Sequence, residues 1–405
     1  MGISKKKIQM ITMADVAKKA GVSQSTASFV LNNRQAELRI SDGTRERVLV
    51  AARELGYRRN ELARAVGSGK NFVLGFLKMD TGEFETRILE GVLKAASEAG
   101  YLLKLLFRDE QEDFHEVARL CVEQRLAGLV TRSFFKAEAT EAFSDELASY
   151  GIPIVFVDDN LTMPLTSCVT SDDELGYRLT IEHLVELGHR NIAFIAGDSV
   201  HPQSRMRKDI YRRIMLEYGL KAPEGSIVDA NWNLERVDLL TRRLFDDQPR
   251  PAGSASAPLG RPTALICAGD ELAAVAIRTL DGMGLRVPED VSVVGYSDFS
   301  FASLLSPSLT TISQPFEEIG AVAARILLQK LKDRSASRDL PSQVVLPTKL
   351  VVRDSTAVSP YVRLTPGYPD RSTGVMGSGG NHLSYISSEG ENNAEQTEIS
   401  GLHVN

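Results

Sequence analysis

Cysteine is scarce. The 405-residue chain has three, Cys121, Cys168 and Cys267, far apart and in apolar surroundings. An odd, scattered set without metal-ligand spacing excludes a disulfide framework and a thiolate metal site, and buried reduced thiols in a cytoplasmic protein are expected. Long apolar runs are missing too. No stretch reaches the roughly eighteen apolar residues of a membrane span, so no membrane segment is expected. The N-terminal lysines precede a polar helix pattern rather than an apolar run, so a secretory signal is not expected. Catalytic groupings are also lacking. His183 and His189 have only Glu182 and Glu186 near them in sequence. Gly295-Tyr296-Ser297-Asp298 is not a Gly-x-Ser-x-Gly turn, and Gly269-Asp270 lacks the further glycines of a phosphate loop. Neither an enzyme nor a cofactor or metal site is expected.

What the chain does have is apolar content (43%) ample for packed cores and length enough for two or three domains. Charge is unevenly spread. Residues 1–71 hold fourteen Lys/Arg against six Asp/Glu, a net of +8 in a chain of net −6, so the remainder carries −14. A basic head on an acidic body is the electrostatic footprint of a nucleic-acid module joined to something else. Within that head, residues 11–32 read ITMADVAKKAGVSQSTASFVLN. Val16, Ala17 and Ala20 give a first short helix its apolar face. Gly21 permits a sharp turn, Ser23 is placed to cap a second helix, and Ala27, Val30 and Leu31 turn inward at spacings of three and four. The opposite face carries Gln24, Ser25, Thr26 and Ser28, short uncharged side chains suited to base edges. Two helices about a glycine-containing turn form the helix-turn-helix pattern, whose second helix enters the major groove. Ser41 is placed to cap a third helix over residues 42–55, stopped by Gly56. Arg45, Arg47, Arg58 and Arg59 are candidate phosphate contacts, which set register and salt sensitivity.

From residue 72 the pattern changes. Strands at 72–79, 101–107, 126–131 and 152–157 alternate with helices at 87–99, 114–124 and 139–150. A second series has helices at 174–186, 206–218, 234–245, 272–283 and 317–331, strands at 192–196, 264–268 and 291–296, and an extended run at 343–352. Such alternation implies parallel, doubly wound α/β sheets. Residues 246–261, rich in Pro, Ala, Ser and Gly, read as a surface loop. In open α/β sheets ligands sit beyond the carboxyl ends of strands. Phe84, Phe134, Asp158, Arg205, Arg207, Asp270, Ser297 and Asp298 are therefore the candidate ligand-binding residues.

The head resembles the DNA-binding domain of the lactose-repressor (LacI/GalR) family of bacterial transcription regulators. The resemblance rests on Asp15-Val16-Ala17, Ala20-Gly21-Val22-Ser23, Thr26-Ala27-Ser28, Val30-Leu31-Asn32, Thr44-Arg45, Leu55-Gly56-Tyr57 and Asn60. It continues through Leu187-Gly188-His189, Ala268-Gly269-Asp270, the run Gly284 to Tyr296, Leu309-Thr310-Thr311-Ile312 and Arg353, covering about residues 11–356. It implies a double-stranded DNA operator, docking of residues 24–32 in the major groove, and a homodimer on a near-palindromic site. Gln24, Ser25 and Phe29 are the candidate base readers. Thr12, Ser23, Thr26, Ser28, Asn32 and Arg45 complete the candidate contacts of the head. It also implies a hinge helix over residues 60–66 that inserts an apolar wedge into the minor groove, with Asn60, Ala63, Arg64 and Val66 as its contacts. Val66 stands where leucine is usual, and Gly67 and Gly69 raise the entropy of the free linker.

For the body the resemblance implies an effector domain similar to periplasmic sugar-binding proteins, with two α/β subdomains and a cleft for a small polar effector. Arg207, Asp270 and the Ser297-Asp298 pair stand where the family holds hydroxyls of sugars or nucleosides. An Arg fork and acidic acceptors suit a polyol. Three departures bear on ligand identity: Ser297 in place of Asp, Ile210 in place of Gly, and Gly269 in place of Asn. A redesigned pocket and a loss of small-molecule control both account for them. The expected architecture is thus an α/β protein in five parts. These are a disordered basic arm (1–10), a helix-turn-helix domain (11–59), a hinge helix and linker (60–71), an effector and dimerisation domain (72–356), and a disordered tail (357–405) without the leucine heptads of a tetramerisation helix. The expected function is a cytoplasmic transcription regulator, most often a repressor in this family. A ligand-binding protein without DNA function is the rival, and the +8 head opposes it.

Overall fold

The computed structural model describes residues 11–31, 39–57, 71–78, 82–107, 113–133, 137–158, 166–222, 225–246, 261–332 and 343–363. The expectations for the basic arm, the hinge helix with its wedge, the loop at 247–260 and the chain beyond 363 lie outside them, as do Asn32, Asn60, Ala63, Arg64, Val66 and Phe134.

The head contains three helices: α1 (Met13–Ala20), α2 (Gln24–Leu31) and α3 (Asp42–Leu55). Thr12 opens α1 through a reciprocal capping box with Asp15. The Ser23 hydroxyl accepts from the Thr26 amide at 3.0 Å, as its position before α2 requires. Gly21 and Gly56 end α1 and α3 in the left-handed region (φ 67° and 64°), where a Cβ would be strained. Val16, Ala17, Ala20, Ala27, Val30, Val48, Ala51 and Ala52 close a small core of their own.

The body holds two six-stranded sheets. The first comprises β1 (Val73–Lys78), β2 (Leu102–Phe107), β3 (Gly128–Thr131), β4 (Ile154–Val157), β5 (Ser167–Ser171) and β11 (Gln343–Leu346), in the order β11-β5-β4-β3-β1-β2. All its pairings are parallel. Helices α4 (Glu83–Glu98), α5 (Phe114–Glu123), α6 (Ala137–Ser149) and α11 (Phe316–Lys332) belong to this subdomain. The second sheet comprises β6 (Ile192–Ala196), β7 (Ile227–Asp229), β8 (Ala264–Cys267), β9 (Ser292–Ser297), β10 (Thr310–Ser313) and β12 (Lys349–Val351), in the order β12-β10-β9-β8-β6-β7. It is parallel except for β12, which runs antiparallel to β10. Its helices are α7 (Asp173–Glu186), α8 (Pro202–Glu217), α9 (Leu234–Asp246) and α10 (Asp270–Gly282).

The chain crosses between subdomains three times: after β5, after β10, and between β11 and β12. The crossovers are tied together. Asp172 N–H donates to the Leu346 carbonyl at 2.8 Å, Thr348 Oγ1 donates to the Asp172 carbonyl at 3.0 Å, and Gln314 Nε2 donates to Ser171 Oγ at 2.7 Å. Helices α4 and α11 cross at Gly91 and Gly320, where a Cβ on either would run into the backbone of the other. Glycine is needed there for close approach, not for φ.

The fold departs from the sequence reading in four places. The extended run at 343–352 is two strands, split at Pro347-Thr348 and shared between the sheets. Strands β5, β7 and β10 had no place in the expected series; SCVTS and TTIS are largely polar and IVD has three residues, so none shows strand periodicity. Helices α4 and α8 each begin four residues earlier than expected, through a polar first turn. The ordered chain also runs past 356 onto the second subdomain. The Ala357 carbonyl accepts from Ser292 Oγ at 3.2 Å, and Val362 covers Gly188 just before the short helix ends at Arg363. The three cysteines are buried and free, and burial pushes the Cys121 thiol up to about 12.

Candidate DNA-reading surface and ligand cleft

In the head, the inward face of α2 is anchored by Ala27 and Val30, leaving Gln24 and Ser25 exposed. Phe29 and Ser28 are half-buried, and Ser23 and Thr26 are joined by a hydroxyl–hydroxyl bond of 2.8 Å. Thr12 is occupied by its capping box. The Arg45 Nε is covered and has no hydrogen-bond partner. Lys19 and Glu54 pair at 2.7 Å and tie α1 to α3.

In the body, each sheet has a switch point where strand order reverses: between β1 and β3 in the first, between β6 and β8 in the second. A crevice at such a point opens beyond the strand ends and is the usual place for a ligand. At the first, Phe84 and Glu85 start α4 and Arg132 follows β3. The Arg132 guanidinium lies over the Phe84 ring, 5.1 Å from its centroid. Asp158 follows β4 with φ 53° and is buried. Burial pushes its carboxyl above the usual range, against the pull of Arg132 and Arg207. At the second, Gly197 and Gly269 follow β6 and β8. The lone tryptophan, Trp232, rests over both and is 45% exposed. A Cβ at Gly269 would lie 2.9 Å from the indole. Its φ of −158° is one any residue adopts, so lack of space accounts for glycine there.

Arg207 projects from α8 and is buried. Its Nε and Nη2 donate to the two oxygens of Asp173 at 2.9 and 3.0 Å, and its guanidinium lies 4.6 Å from the Tyr296 ring centre. Tyr296 Oη donates to Asp173 at 2.6 Å, and Tyr177 stacks on Tyr296. Burial alone would lower the Arg207 pKa, but Asp173 and the two tyrosines more than reverse this, and the net shift is upward. Gln203 Nε2 also donates to Asp173, at 3.4 Å.

Asp270 caps no helix with its side chain. It is buried under Gly295 and accepts from Thr311 Oγ1 at 2.5 Å and the Phe299 amide at 2.7 Å. Burial raises its carboxyl to about 6. Ser297 (φ 126°) and Asp298 (φ 55°) are both in left-handed conformations, strain of the kind that gathers at functional sites. Ser297 Oγ donates to Gln314 at 3.3 Å, and Asp298 accepts from Arg353 at 2.7 Å. Arg87 of α4 donates to Glu317 at 2.7 Å and to the Asp298 carbonyl at 3.3 Å, while Glu83 accepts from Ser300 N–H and Oγ at 2.9 and 2.8 Å. The Arg87–Asp298 and Glu83–Ser300 contacts bridge the two subdomains, while Arg87–Glu317 ties α4 to α11 within the first.

Phe84, Asp158, Arg207, Asp270, Ser297 and Asp298 thus all lie at the strand ends or on the junction. Arg205 does not join them: it is exposed and donates to the Ser199 and Val200 carbonyls at 2.6 and 2.9 Å, bracing its own loop. Sequence reasoning missed Asp173, Arg132, Glu85, Gln314 and Trp232. The tryptophan had a signal, a single large aromatic in a polar ANWN turn just after a short strand. His189 is buried between Thr263 Oγ1 (2.9 Å) and the Ala357 carbonyl (3.0 Å).

A helix-turn-helix head joined to a two-lobed body of parallel sheets defines a class of DNA-binding transcription regulators. The comparisons agree. Residues 12–60 match bacterial regulatory proteins of the lacI family, and residues 181–356 match the periplasmic binding protein-like domain. The chain is 30% identical over 335 residues to the HTH-type transcriptional repressor PurR of Photobacterium profundum, covering 81% of this chain and 94% of that one. It is 29% identical over 352 residues to the HTH-type transcriptional regulator DegA of Bacillus subtilis, with coverage of 85% and 98%. Among solved structures, the lac repressor dimer bound to operator and the anti-inducer ONPF superimposes with a TM-score of 0.70 at 26% identity, over 86% of this chain and all of that one. The CelR–cellobiose complex does so with a TM-score of 0.61 at 29% identity, over 85% and 99%. The chain belongs to the LacI family of DNA-binding transcription regulators, which are not enzymes. No helix among the described residues is long and apolar enough to cross a membrane.

Proposed function

We propose that this regulator is a repressor that binds a near-palindromic operator as a homodimer and is controlled by a small polar ligand between its subdomains. The observation that carries the DNA half is α2: its buried alanine and valine fix the helix, and Gln24 and Ser25 face outward at its N-terminal end, the part of a recognition helix that meets base edges. Arg45 would set register on the phosphates. Two-fold symmetry of the protein would be mirrored in the site. The dimer is supported by exposed apolar side chains on the edge strand β2, where Leu105 and Phe107 are 53% and 62% exposed. An uncovered apolar sheet edge invites pairing, and the lac repressor similar to this chain is a dimer on its operator.

Ligand control is supported by the junction. The crossovers are joined by single hydrogen bonds, and the bridging pairs Arg87–Asp298 and Glu83–Ser300 would form or part as the subdomains close. A ligand that binds one degree of closure better shifts the population toward it, and the heads with it. The CelR structure holds cellobiose, and a LacI-family regulator from Enterococcus faecium holds ribose, which supports a sugar-like class. The test is retardation of a DNA site selected from a random pool, by the full chain and by a chain starting at residue 72. Equal behaviour of the two would sink the DNA half. Absence of release by any of a panel of small sugars would sink ligand control.

A further inference from the structure

In the major groove each base sets its own chemical demand. Guanine offers two acceptors and is met by Arg or Lys, and cytosine offers an amino donor and is met by Asp or Glu. Adenine offers a donor beside an acceptor and is met by the amide of Asn or Gln, and thymine offers a methyl group and is met by an apolar surface. The stretch from Ala20 to Asn33 has no charged residue of either sign. Helix α2 therefore carries neither of the side-chain classes that a G·C pair asks for. It does carry both of those that an A·T pair asks for: Gln24 for adenine and Phe29 for the thymine methyl.

Both are presented outward. Ala27 and Val30 are buried. Ser25 and Phe29, four apart, form a row on the opposite side of the helix, and Gln24 opens the row beside it with Ser28. Gln24 is exposed and Phe29 is half-buried. Leu31 packs on the core of the head, whereas Phe29 is not among the described side chains that do so. An aromatic ring left partly in solvent on a polar face gains when it is set against a methyl group. Thr26 is drawn aside: its hydroxyl is joined to Ser23 Oγ at 2.8 Å, and its amide donates to the same oxygen at 3.0 Å. Ser25 and Ser28 suit either kind of pair. The net charge of +8 over residues 1–71 attracts phosphates, which adds affinity without choosing a sequence.

Resting on the DNA-binding reading above, we infer that the part of each half-site under α2 is read as A·T pairs, with Gln24 bonded to an adenine edge and Phe29 set against a thymine methyl. At about 1.5 Å per residue the two side chains start about 7.5 Å apart along the helix axis, or about two base-pair steps. The two pairs therefore stand close together in the half-site.

The full chain and its Gln24→Ala and Phe29→Ala variants each select sites from a random duplex pool. The site chosen by the unaltered chain is then remade with uracil for thymine, one position at a time and at all positions together. An A·T preference is expected at two nearby positions of the half-site. Gln24→Ala loses the first, by roughly 5- to 150-fold in discrimination, and Phe29→Ala loses the second. Removing the thymine methyl at the second position is expected to weaken the unaltered chain about fourfold, the value of one buried methyl group, and to leave Phe29→Ala unmoved. Positions that answer to the two variants but hold G·C pairs overturn the inference, and so does a site whose thymines are all replaced by uracil without loss. The uracil series needs only the unaltered chain, so it decides even if a variant does not fold. A pool from which nothing is enriched overturns the DNA-binding reading and the inference with it, whereas an enriched site read by α2 through G·C pairs overturns the inference alone.

Discussion

Removing the charge of Asp173 should cost more stability than any other single change in the cleft. Its carboxylate holds a buried guanidinium by two hydrogen bonds of 2.9 and 3.0 Å and accepts a third from Tyr296 at 2.6 Å. In Asp173→Asn one oxygen becomes a donor facing Arg207. The guanidinium cannot escape by losing its proton. A buried charge stripped of its partner costs about 3–5 kcal/mol. At roughly 2–4 °C per kcal/mol for a large domain, the melting temperature should fall by roughly 6–20 °C. Urea unfolding followed by circular dichroism measures the free energy directly. The double variant Asp173→Leu with Arg207→Met removes both charges and keeps apolar volume, so it should recover most of the loss. A loss below about 1 kcal/mol in the single variant, or a double variant no better than the single, would refute the account of a desolvated, mutually dependent pair.

Three more outcomes follow from the same geometry. Asp270 keeps its proton up to about 6 when folded, while the unfolded chain releases it near 3.8, so the native state binds more protons between those values and stability from this group falls as pH rises through that window. Urea midpoints of the wild type and Asp270→Asn at several pH values from 4 to 7 should diverge in that direction, by up to about 3 kcal/mol. Gly320→Ala should force α4 and α11 apart and cost about 1–3 kcal/mol or more, read as a lower melting temperature. Arg45→Ala should weaken operator binding evenly across sequences and reduce the salt slope by about one, whereas Gln24→Ala should relax preference at one base position by about 1–3 kcal/mol, both measured by titrations at several salt concentrations.

The parts legible in the sequence are those where a periodic pattern or a cap decides local structure. Ser23, Gly21 and the Ala27/Val30 spacing specify the head without help from elsewhere. Buried parallel strands such as IVFV and ALIC announce themselves by composition. Strand β5 does not, because its burial comes from neighbours on both sides rather than from its own Ser, Cys and Thr. Nor does the split between β11 and β12, which is decided by which sheet has an open edge. In the cleft, strand ends located Asp158, Arg207 and Asp270, but not their partners. Asp173 read as an ordinary acidic first turn, and only the fold brings α8 against it. Arg205 shows the converse: two residues from Arg207 on the same helix, it is turned to its own loop by the helical pitch.

The triple crossover has a consequence for the order in which the chain is made. The core of the first subdomain includes Ile319, Ala323, Ala324 and Leu327 of α11, and its sheet is completed by β11. The second subdomain awaits β12. Neither lobe is contiguous, so as the chain leaves the ribosome both must wait for the last strands, some 300 residues after the head has emerged, with Leu55 ending α3 and Lys349 beginning β12. The head closes its own core within residues 11–57 and needs nothing that follows. The nascent chain therefore carries a finished DNA reader long before it has anything to govern it, and a synthesis cut short within the body releases a reader without its sensor and without the folded face that would pair it with a second copy.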